Sequence, residues 1–304
     1  MLAVVGVVAS LAGLVWWRAR YFRAMTALTM RHRMLGPDGV VVGGGTFELQ
    51  REGAPAVLLL HGGGDTPQTL RYLGDVLHAH GFHVFAPLLP GHGRTLNEFA
   101  RVRAADLTAA ADEGYRALRE RHDWVGVIGL SMGGALAVQL AAAHRDLPAL
   151  GLVAPYLAMP PRVERFTKLS WIWGIALPAT RSSEGRSVLD PDERARNLAY
   201  GVFTAGALRA LRGSVQRAAS ALPLVTAPTL MIQSREDNRI SVESAERAFA
   251  RLGSPDKTLE WVTGAAHIIT VDFGRDVVIA QLAAFMEARC TPRARTPSAG
   301  DSSP

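Results

Sequence analysis

The sequence predicts an α/β fold with a mostly parallel central sheet, helices on both sides of it and one inserted cap. Between residues 37 and 290, apolar runs of strand length alternate with amphipathic stretches of helix length. This alternation is typical of helices that connect parallel strands. Only residues 156–222 interrupt it, and they are far longer than the roughly a dozen residues that a helical crossover needs. We therefore expect a core at 37–155 and 223–290, with the cap at 156–222.

The elements of the core follow from the spacing of apolar residues. Glycines between the short apolar runs of Gly39–Leu49 predict a β-hairpin. Six strands are predicted at Val57–Leu60, Phe82–Pro87, Val125–Leu130, Ala149–Val153, Ala227–Gln233 and Lys257–Val262. Several of them are apolar at every position, as buried parallel strands are. Apolar residues three and four apart predict helices at Thr66–His80, Ala104–Arg121, Met132–His144, Val242–Leu252 and Asp276–Arg289.

Residues 1–36 are predicted to be a membrane anchor followed by a basic collar. The segment 2–17 carries no charge, and its length is close to the lower limit of about 17 residues for a spanning helix. Trp16, Trp17 and Tyr21 would meet the membrane surface, and arginines beyond them predict that the domain that follows is cytoplasmic. The alternatives are a helix of a soluble cytoplasmic domain and the signal peptide of an exported protein.

The distribution of charge argues against nucleic acid as a partner. Of the net charge of +6, five units come from the arginines of the collar, which has no acid: Arg18, Arg20, Arg23, Arg31 and Arg33. The tail, 291–304, adds one more unit and is predicted to be disordered from its composition. The neutral remainder lacks the basic face that nucleic-acid binding requires. The single cysteine, Cys290, excludes an intramolecular disulfide.

A G-x-S-x-G pattern, Gly129 to Gly133, places Ser131 between a predicted strand and a predicted helix. This is the pattern of a nucleophile elbow, where a tight turn with small flanking residues exposes the serine hydroxyl above the sheet. The alternative is a glycine-lined turn that only packs the helix on the strand. The strand and helix on either side favour the nucleophile.

A serine nucleophile needs a base and a carboxylate that orients the base. Past the strand that ends at Gln233, the loop contains Glu236 and Asp237, and Glu243 follows. The sequence leaves Asp237 and Glu236 as rivals. His267 is the expected base because the other histidine after Ser131, His144, lies about 20 Å away at the far end of a helix.

Five stretches in the same order resemble the α/β-hydrolase superfamily, and specifically its bacterial carboxylesterase and monoacylglycerol-lipase branch, over residues 56–290. They are LLLHGGGDTPQTLRYLGDVL, GFHVFAPLLPGHG, GLSMGGALA, PTLMIQSREDNRIS and AHIITVDFGRD. The resemblance implies that Asp237 is the acid. It also implies that the backbone N–H groups of Gly63 and Met132 stabilise an oxyanion, with His61 and His92 bracing the loops.

One departure from that branch concerns the glycine-rich turn. The branch commonly has an aromatic residue at the position of Gly63, whereas this chain has glycine at 62, 63 and 64. The triple glycine resembles the H-G-G-G turn of hormone-sensitive-lipase-like esterases and predicts a wider acyl site. Whether it admits esters of branched alcohols is left open. Phosphate binding is not expected, since the phosphate-loop patterns are absent.

The sequence therefore predicts a serine hydrolase that cleaves carboxylic esters with short to medium acyl chains, either a carboxylesterase or a monoacylglycerol lipase. No cofactor and no metal is expected. Gly62, Trp171, Trp173 and Ile175 are predicted to contact a small-molecule or lipid ester, although the last three have packing of the cap as an equal alternative. A peptidase, an acyltransferase or a non-catalytic binding protein with the same fold are the other candidates, and the oligomeric state is open.

Overall fold

The computed structural model describes residues 1–31, 33–182 and 187–290 of the chain. In chain order, the strands are β1 (Phe47–Leu49), β2 (Ala56–Leu60), β3 (His83–Ala86), β4 (Val125–Leu130), β5 (Leu150–Val153), β6 (Ala179–Arg181), β7 (Val202–Thr204), β8 (Thr229–Ser234) and β9 (Lys257–Val262). Seven of them form one sheet in the order β1-β3-β2-β4-β5-β8-β9. All its pairs are parallel except β1 with β3. The predicted, mostly parallel sheet is confirmed.

Helices cover both faces of this sheet. They are α1 (Leu2–Met30), α2 (Arg71–Ala79), α3 (Leu96–Arg101), α4 (Ala104–Arg119), α5 (Met132–Ala143), α6 (Pro161–Lys168), α7 (Ser170–Ala176), α8 (Pro191–Arg196), α9 (Ala205–Ala221), α10 (Val242–Arg251) and α11 (Arg275–Arg289). Short 3-10 turns lie at Pro67–Leu70 and Leu222–Leu224.

The two cores follow from the two-residue period of a strand. In β2, Leu58 and Leu60 pack toward α4, α5 and α9, whereas Val57 and Leu59 pack toward α2 and α11. Because both faces are covered, every residue of β2 is buried. A strand that is buried on both faces has apolar residues at consecutive positions, which is why the central strands can be predicted accurately from the sequence.

The predicted hairpin at Gly39–Leu49 does not form. Only Phe47–Leu49 is a strand, and it pairs with β3 at the edge of the sheet. Val41 instead forms an isolated bridge with Leu35. The glycines of this stretch make turns, among them Gly39 and Gly43 with positive φ, but those turns do not bring two consecutive strands together.

The segment between β5 and β8 contains α6, α7, α8, α9 and a small antiparallel pair, β6 with β7. Its last helix, α9, packs along α4 and α5 and thus helps to cover one face of the main sheet. The chain before α9 lies at the carboxyl edge of the sheet, where Tyr200 N–H donates to Gly64 O. This position brings the segment next to the glycine-rich turn.

The predicted membrane anchor is wrong, and with it the membrane-anchored location and the membrane as a partner of residues 2–17. No helix in the described part of the chain combines the length and apolar character needed to cross a membrane. The helix continues past residue 17 into the predicted collar and ends at Met30. Tyr21 Oη donates to Ala179 O at 3.0 Å, and Met25 and Thr29 are buried. The second half of α1 therefore packs onto the rest of the protein.

The remaining boundaries differ little from the predicted ones. The stretch predicted as one helix from Thr66 is divided into a 3-10 turn and α2, with Pro67 at the start of the turn. The tail that is predicted to be disordered, 291–304, lies outside the described residues.

Candidate active site

Ser131 lies in the turn between β4 and α5 with φ 53° and ψ −114°. Such a backbone is unfavourable for a residue with a side chain and is held only by its surroundings. A Cβ on Gly129 would lie 2.3 Å from Gly133 O, and one on Gly133 would lie 2.0 Å from Leu60 O. Both flanking glycines of the pattern are therefore required, because the helix approaches the sheet too closely for any side chain.

The structure brings together the three residues of the predicted triad. His267 Nε2 lies 2.8 Å from Ser131 Oγ, and His267 Nδ1 lies 2.8 Å from Asp237 Oδ2. The side chain of Asp237 is fully buried and that of His267 is 8% exposed. The loops after β4, β8 and β9 deliver these side chains to one edge of the sheet, as expected where the strands are parallel and in register.

Asp237 is held on both of its oxygens. Oδ1 accepts the backbone N–H groups of Arg239 and Ile240 at 2.7 and 3.0 Å. Oδ2 accepts Gln233 Nε2 at 2.7 Å in addition to His267 Nδ1. Burial raises the pKa of this carboxyl, but the charge and hydrogen bond of His267 and the two N–H groups outweigh burial and leave the pKa below its usual value. The carboxylate is thus kept charged beside the imidazole.

The rival acids lie elsewhere. Glu236 accepts from Ser234 Oγ and from Gly264 N–H, both at 3.3 Å. Glu243 forms an ion pair with Arg247 on the exposed face of α10. Neither carboxylate is on the hydrogen-bonded chain that begins at Ser131.

The glycine-rich turn lies directly beside the nucleophile. A Cβ on Gly62 would be 3.5 Å from Ser131 Cβ, and one on Gly63 would be 3.3 Å from Met132 Sδ. Among the described residues, the N–H groups of Gly63 and Met132 donate to no backbone carbonyl. Met132 is also the first residue of α5, where backbone N–H groups have no partner in the helix. Two unused donors therefore flank Ser131, at the positions that the resemblance implies.

Two buried histidines support this turn from below. His61 Nδ1 donates to Gly62 O at 2.9 Å, and His61 Nε2 accepts Leu89 N–H at 3.0 Å. The ring of His92 lies 5.1 Å from that of His61. Burial lowers the pKa of His92 to about 4 and that of His61 well below its usual value. Both rings are therefore neutral at pH 7, which is what the donor and acceptor roles of His61 require.

Asp65 is a buried carboxylate that the sequence analysis does not identify. Its Oδ1 accepts Thr66 N–H at 2.8 Å and its Oδ2 accepts Thr69 Oγ1 at 2.7 Å. Burial raises its pKa to about 6, although those hydrogen bonds and His267 act in the opposite direction. The signal available in the sequence is an acid immediately after three glycines, which alone does not distinguish a surface turn from a buried one.

A cavity of about 830 Å³ opens above Ser131 and His267. Its apolar lining comes from α6, β7 and α9, and includes Val163, Phe166, Val202, Phe203, Leu208 and Leu211. Gly62, Gly63 and Gly64 line the floor. The volume is that of a site for a small molecule.

The structure does not bring Trp171, Trp173 and Ile175 to this cavity. Trp171 and Ile175 line a separate hollow between α1 and α7, and they are 68% and 53% exposed. Trp173 stacks on Phe166 with 4.5 Å between ring centroids. These residues are all apolar, but α7 directs Trp171 and Ile175 toward α1 and solvent and Trp173 toward Phe166, so composition alone does not identify the lining.

Gly63→Phe is expected to reduce hydrolysis of branched esters more than that of linear ones. Gly63 has no positive φ, so its backbone accepts a side chain. The Cβ would lie 3.3 Å from Met132 Sδ, which must shift slightly, and 3.8 Å from Leu211 Cδ1. Lost pocket space changes selectivity by roughly 10- to 200-fold. We expect the kcat/KM ratio of tert-butyl octanoate to ethyl octanoate to fall by about tenfold.

Gly81→Ala is a control for this change. Gly81 has φ 96° and lies outside the cavity lining, so a side chain there strains the backbone and lowers the melting temperature, without selectivity between the two esters. An equal loss on both esters in Gly63→Phe would mean that the backbone donor is disturbed, and no loss on either would mean that Gly63 does not face the substrate.

The chain is similar to known lipases and esterases. The chain is 29% identical to a thermostable monoacylglycerol lipase of Bacillus sp. (strain H-257), over 75% of this chain and 88% of that protein. It is 28% identical to a carboxylesterase of Bacillus subtilis (strain 168), over 77% of this chain and 93% of that protein.

A solved structure of a metagenome-derived lipolytic enzyme superposes with a TM-score of 0.75 at 28% identity, and covers 84% of this chain and all of that one. The predicted α/β-hydrolase fold and the predicted class of carboxylic ester hydrolase are confirmed. Residues 52–273 match the model of the family described as serine aminopeptidase, S33. The chain belongs to that family.

Proposed function

We propose that this ester hydrolase acts as a carboxylesterase or monoacylglycerol lipase through an acyl-enzyme on Ser131. The observation that carries the proposal is the hydrogen-bonded chain from Ser131 Oγ through His267 to Asp237, with both contacts at 2.8 Å. His267 Nε2 takes the proton of Oγ as that oxygen bonds to the ester carbon. Asp237 holds Nδ1 protonated and stabilises the imidazolium that forms.

The negative charge on the ester oxygen develops next to the two unused backbone donors. In this proposal Gly63 N–H and Met132 N–H bind that oxygen, and each such donor contributes roughly 3 kcal/mol. The tetrahedral intermediate then collapses, the C–O bond to the alcohol breaks, and the alcohol leaves with the proton from His267. Water then attacks the acyl-enzyme by the same steps, and the carboxylic acid is released. Apart from the ester and water, the groups that act in these steps are residues of this chain.

The lining of the cavity supports an apolar acyl chain. Leu211 on α9 and Phe203 on β7 lie next to the glycine-rich turn, and Leu208 on α9 lines the same cavity. We propose that the chain from residue 156 to β7 is a cap over the site, with α6 and β7 as its substrate-facing elements. A cavity of about 830 Å³ accommodates a short to medium chain together with a small alcohol.

A peptidase that binds a free N-terminus is the runner-up, since the family description names an aminopeptidase. Binding an ammonium group calls for a carboxylate in the cavity. Among the described lining residues Asp65 is the single acid, against several arginines, and its oxygens already accept two hydrogen bonds. This charge balance favours an ester over an amino-terminal peptide.

A fluorophosphonate probe and a pair of matched substrates test the proposal. We expect the probe to label Ser131, as located by mass spectrometry of the peptide. We also expect kcat/KM for p-nitrophenyl octanoate to reach about 10⁴ M⁻¹s⁻¹ or more, with little turnover of leucine p-nitroanilide. Preferred cleavage of the anilide would establish the peptidase instead, and a folded protein that neither reacts nor turns over would be a binding protein.

A further inference from the structure

Arginines from separate segments line the cavity that contains Ser131. Five arginines line it: Arg31, Arg33, Arg181, Arg194 and Arg239. Two follow α1, one lies in β6, one in α8, and one lies in the loop after β8. The described lining has one carboxylate against them, Asp65. A hydrolase of neutral esters has no need for this excess of positive charge.

The hydrogen bonds of Arg194 orient its guanidinium group without cancelling its charge. Arg194 Nε and Nη2 donate to the carbonyl oxygens of Val188 and Leu189, at 3.0 and 2.9 Å. These acceptors are neutral. Such contacts fix the plane of a guanidinium group, which is then preorganised for an anionic oxygen.

Three of the five arginines have no acidic partner in the part of the chain that the structure describes. No ion pair there involves Arg31, Arg181 or Arg194. The acid next to Arg194, Glu193, pairs with Arg196 and Arg275 instead, at 3.1 and 3.0 Å. The charges of these three arginines are therefore available to a ligand.

The positions of the arginines relative to the apolar lining show that the ligand must also have an apolar part. Arg181 pairs with Val202 across β6 and β7, and Val202 is itself part of the apolar lining. Arg239 lines the same cavity as His267, and its guanidinium group donates to Ser187 Oγ and Ser182 Oγ at 3.1 and 2.8 Å. The cationic lining is thus continuous with the apolar lining and reaches the triad, so one molecule can contact both.

From this arrangement we propose that the preferred substrate is an ester with an apolar acyl chain and an anionic headgroup, phosphate or carboxylate, on its alcohol part. An acylglycerol phosphate has this chemistry. The proposal rests on the proposed function, since the acyl-enzyme forms as described above. Water is added across the carboxylic ester, the C–O bond to the alcohol breaks, and the headgroup leaves unchanged on that alcohol.

Three substrates that differ in the headgroup alone test the proposal: 1-octanoylglycerol, 3-octanoylglycerate and 1-octanoylglycerol 3-phosphate, each below its micellar concentration. Charge-assisted contacts of arginine are strong, so we expect kcat/KM for the phosphate to exceed that of the neutral ester by about tenfold or more. The ratio should fall as salt is raised from about 50 to 500 mM, because salt screens exposed charges. The glycerate separates a general preference for anions from one for phosphate.

Variants of Arg181 connect the preference to the cavity. Arg181→Glu should lower the ratio of phosphate to neutral ester by at least about tenfold, and Arg181→Lys should restore part of it. Arg217, which is exposed on α9 and outside the lining, provides the matched control, and Arg217→Ala should leave the ratio at the wild-type value.

Each outcome is decisive for one of the two proposals. The preference for an anionic headgroup would be overturned by a wild-type ratio of kcat/KM for the phosphate to that for the neutral ester at or below one. Equal losses of kcat/KM on all three esters in Arg181→Glu would overturn it as well. Failure to cleave even 1-octanoylglycerol would instead count against the proposed function.

Discussion

Ser131→Ala is expected to lower kcat for p-nitrophenyl octanoate by about 10⁶-fold, the scale observed when a serine hydrolase loses its nucleophile. The hydroxyl is the atom that forms the acyl bond, and no other described hydroxyl lies on the chain of hydrogen bonds to His267 and Asp237. Alanine occupies the same backbone conformation with a smaller side chain. The strain at φ 53° is therefore nearly the same in both proteins, and we expect the melting temperature to shift by a few degrees at most.

Ser214→Ala is a suitable control for this measurement. Ser214 is buried in α9, and its Oγ has no hydrogen-bond partner within the described residues. Removing that hydroxyl should leave turnover and fluorophosphonate labelling near the wild-type values. Turnover by Ser131→Ala within tenfold of wild type would mean that another residue is the nucleophile.

The sheet and the elbow could be predicted because they depend on local physical requirements. β4 is buried at all six of its positions and must therefore be apolar throughout. Gly129 and Gly133 must be glycine because backbone atoms of other segments lie within 2.5 Å of any Cβ there. The order of nucleophile, acid and base follows from which strands are adjacent and parallel.

Features that depend on distant contacts could not be predicted in the same way. The uncharged stretch at the start of α1 predicts a membrane segment, but the helix does not combine the length and apolar character needed to cross a membrane. Its second half packs onto the protein through Tyr21 and Met25, which are contacts that the local sequence does not reveal. The burial of Asp65 depends on the neighbouring segments of the turn. The arginines of the cavity come from segments far apart in the sequence, and they form a group only when the fold brings those segments together.

Asp237→Asn is expected to lower kcat by about 10⁴-fold, because an amide fixes the wrong tautomer of the histidine. Asp237 Oδ1 accepts two backbone N–H groups, from Arg239 and Ile240. The oxygen of an asparagine must occupy that position, so its NH₂ faces His267 Nδ1. Nδ1 must then accept, Nε2 carries the proton, and the base can no longer take the proton of Ser131 Oγ.

Glu236→Gln is the matched control, since it makes the same chemical change one residue away. Glu236 contacts Ser234 and Gly264 at 3.3 Å and is not bonded to the histidine, so kcat should stay within about twofold of wild type, as for most surface substitutions. The measurement is kcat for p-nitrophenyl octanoate in both variants, with the melting temperature of each as a check on folding. A large loss in Glu236→Gln with little in Asp237→Asn would assign the acid to Glu236. Equal, small losses would mean that His267 acts without an orienting carboxylate, and the burial of Asp237 would then serve stability alone.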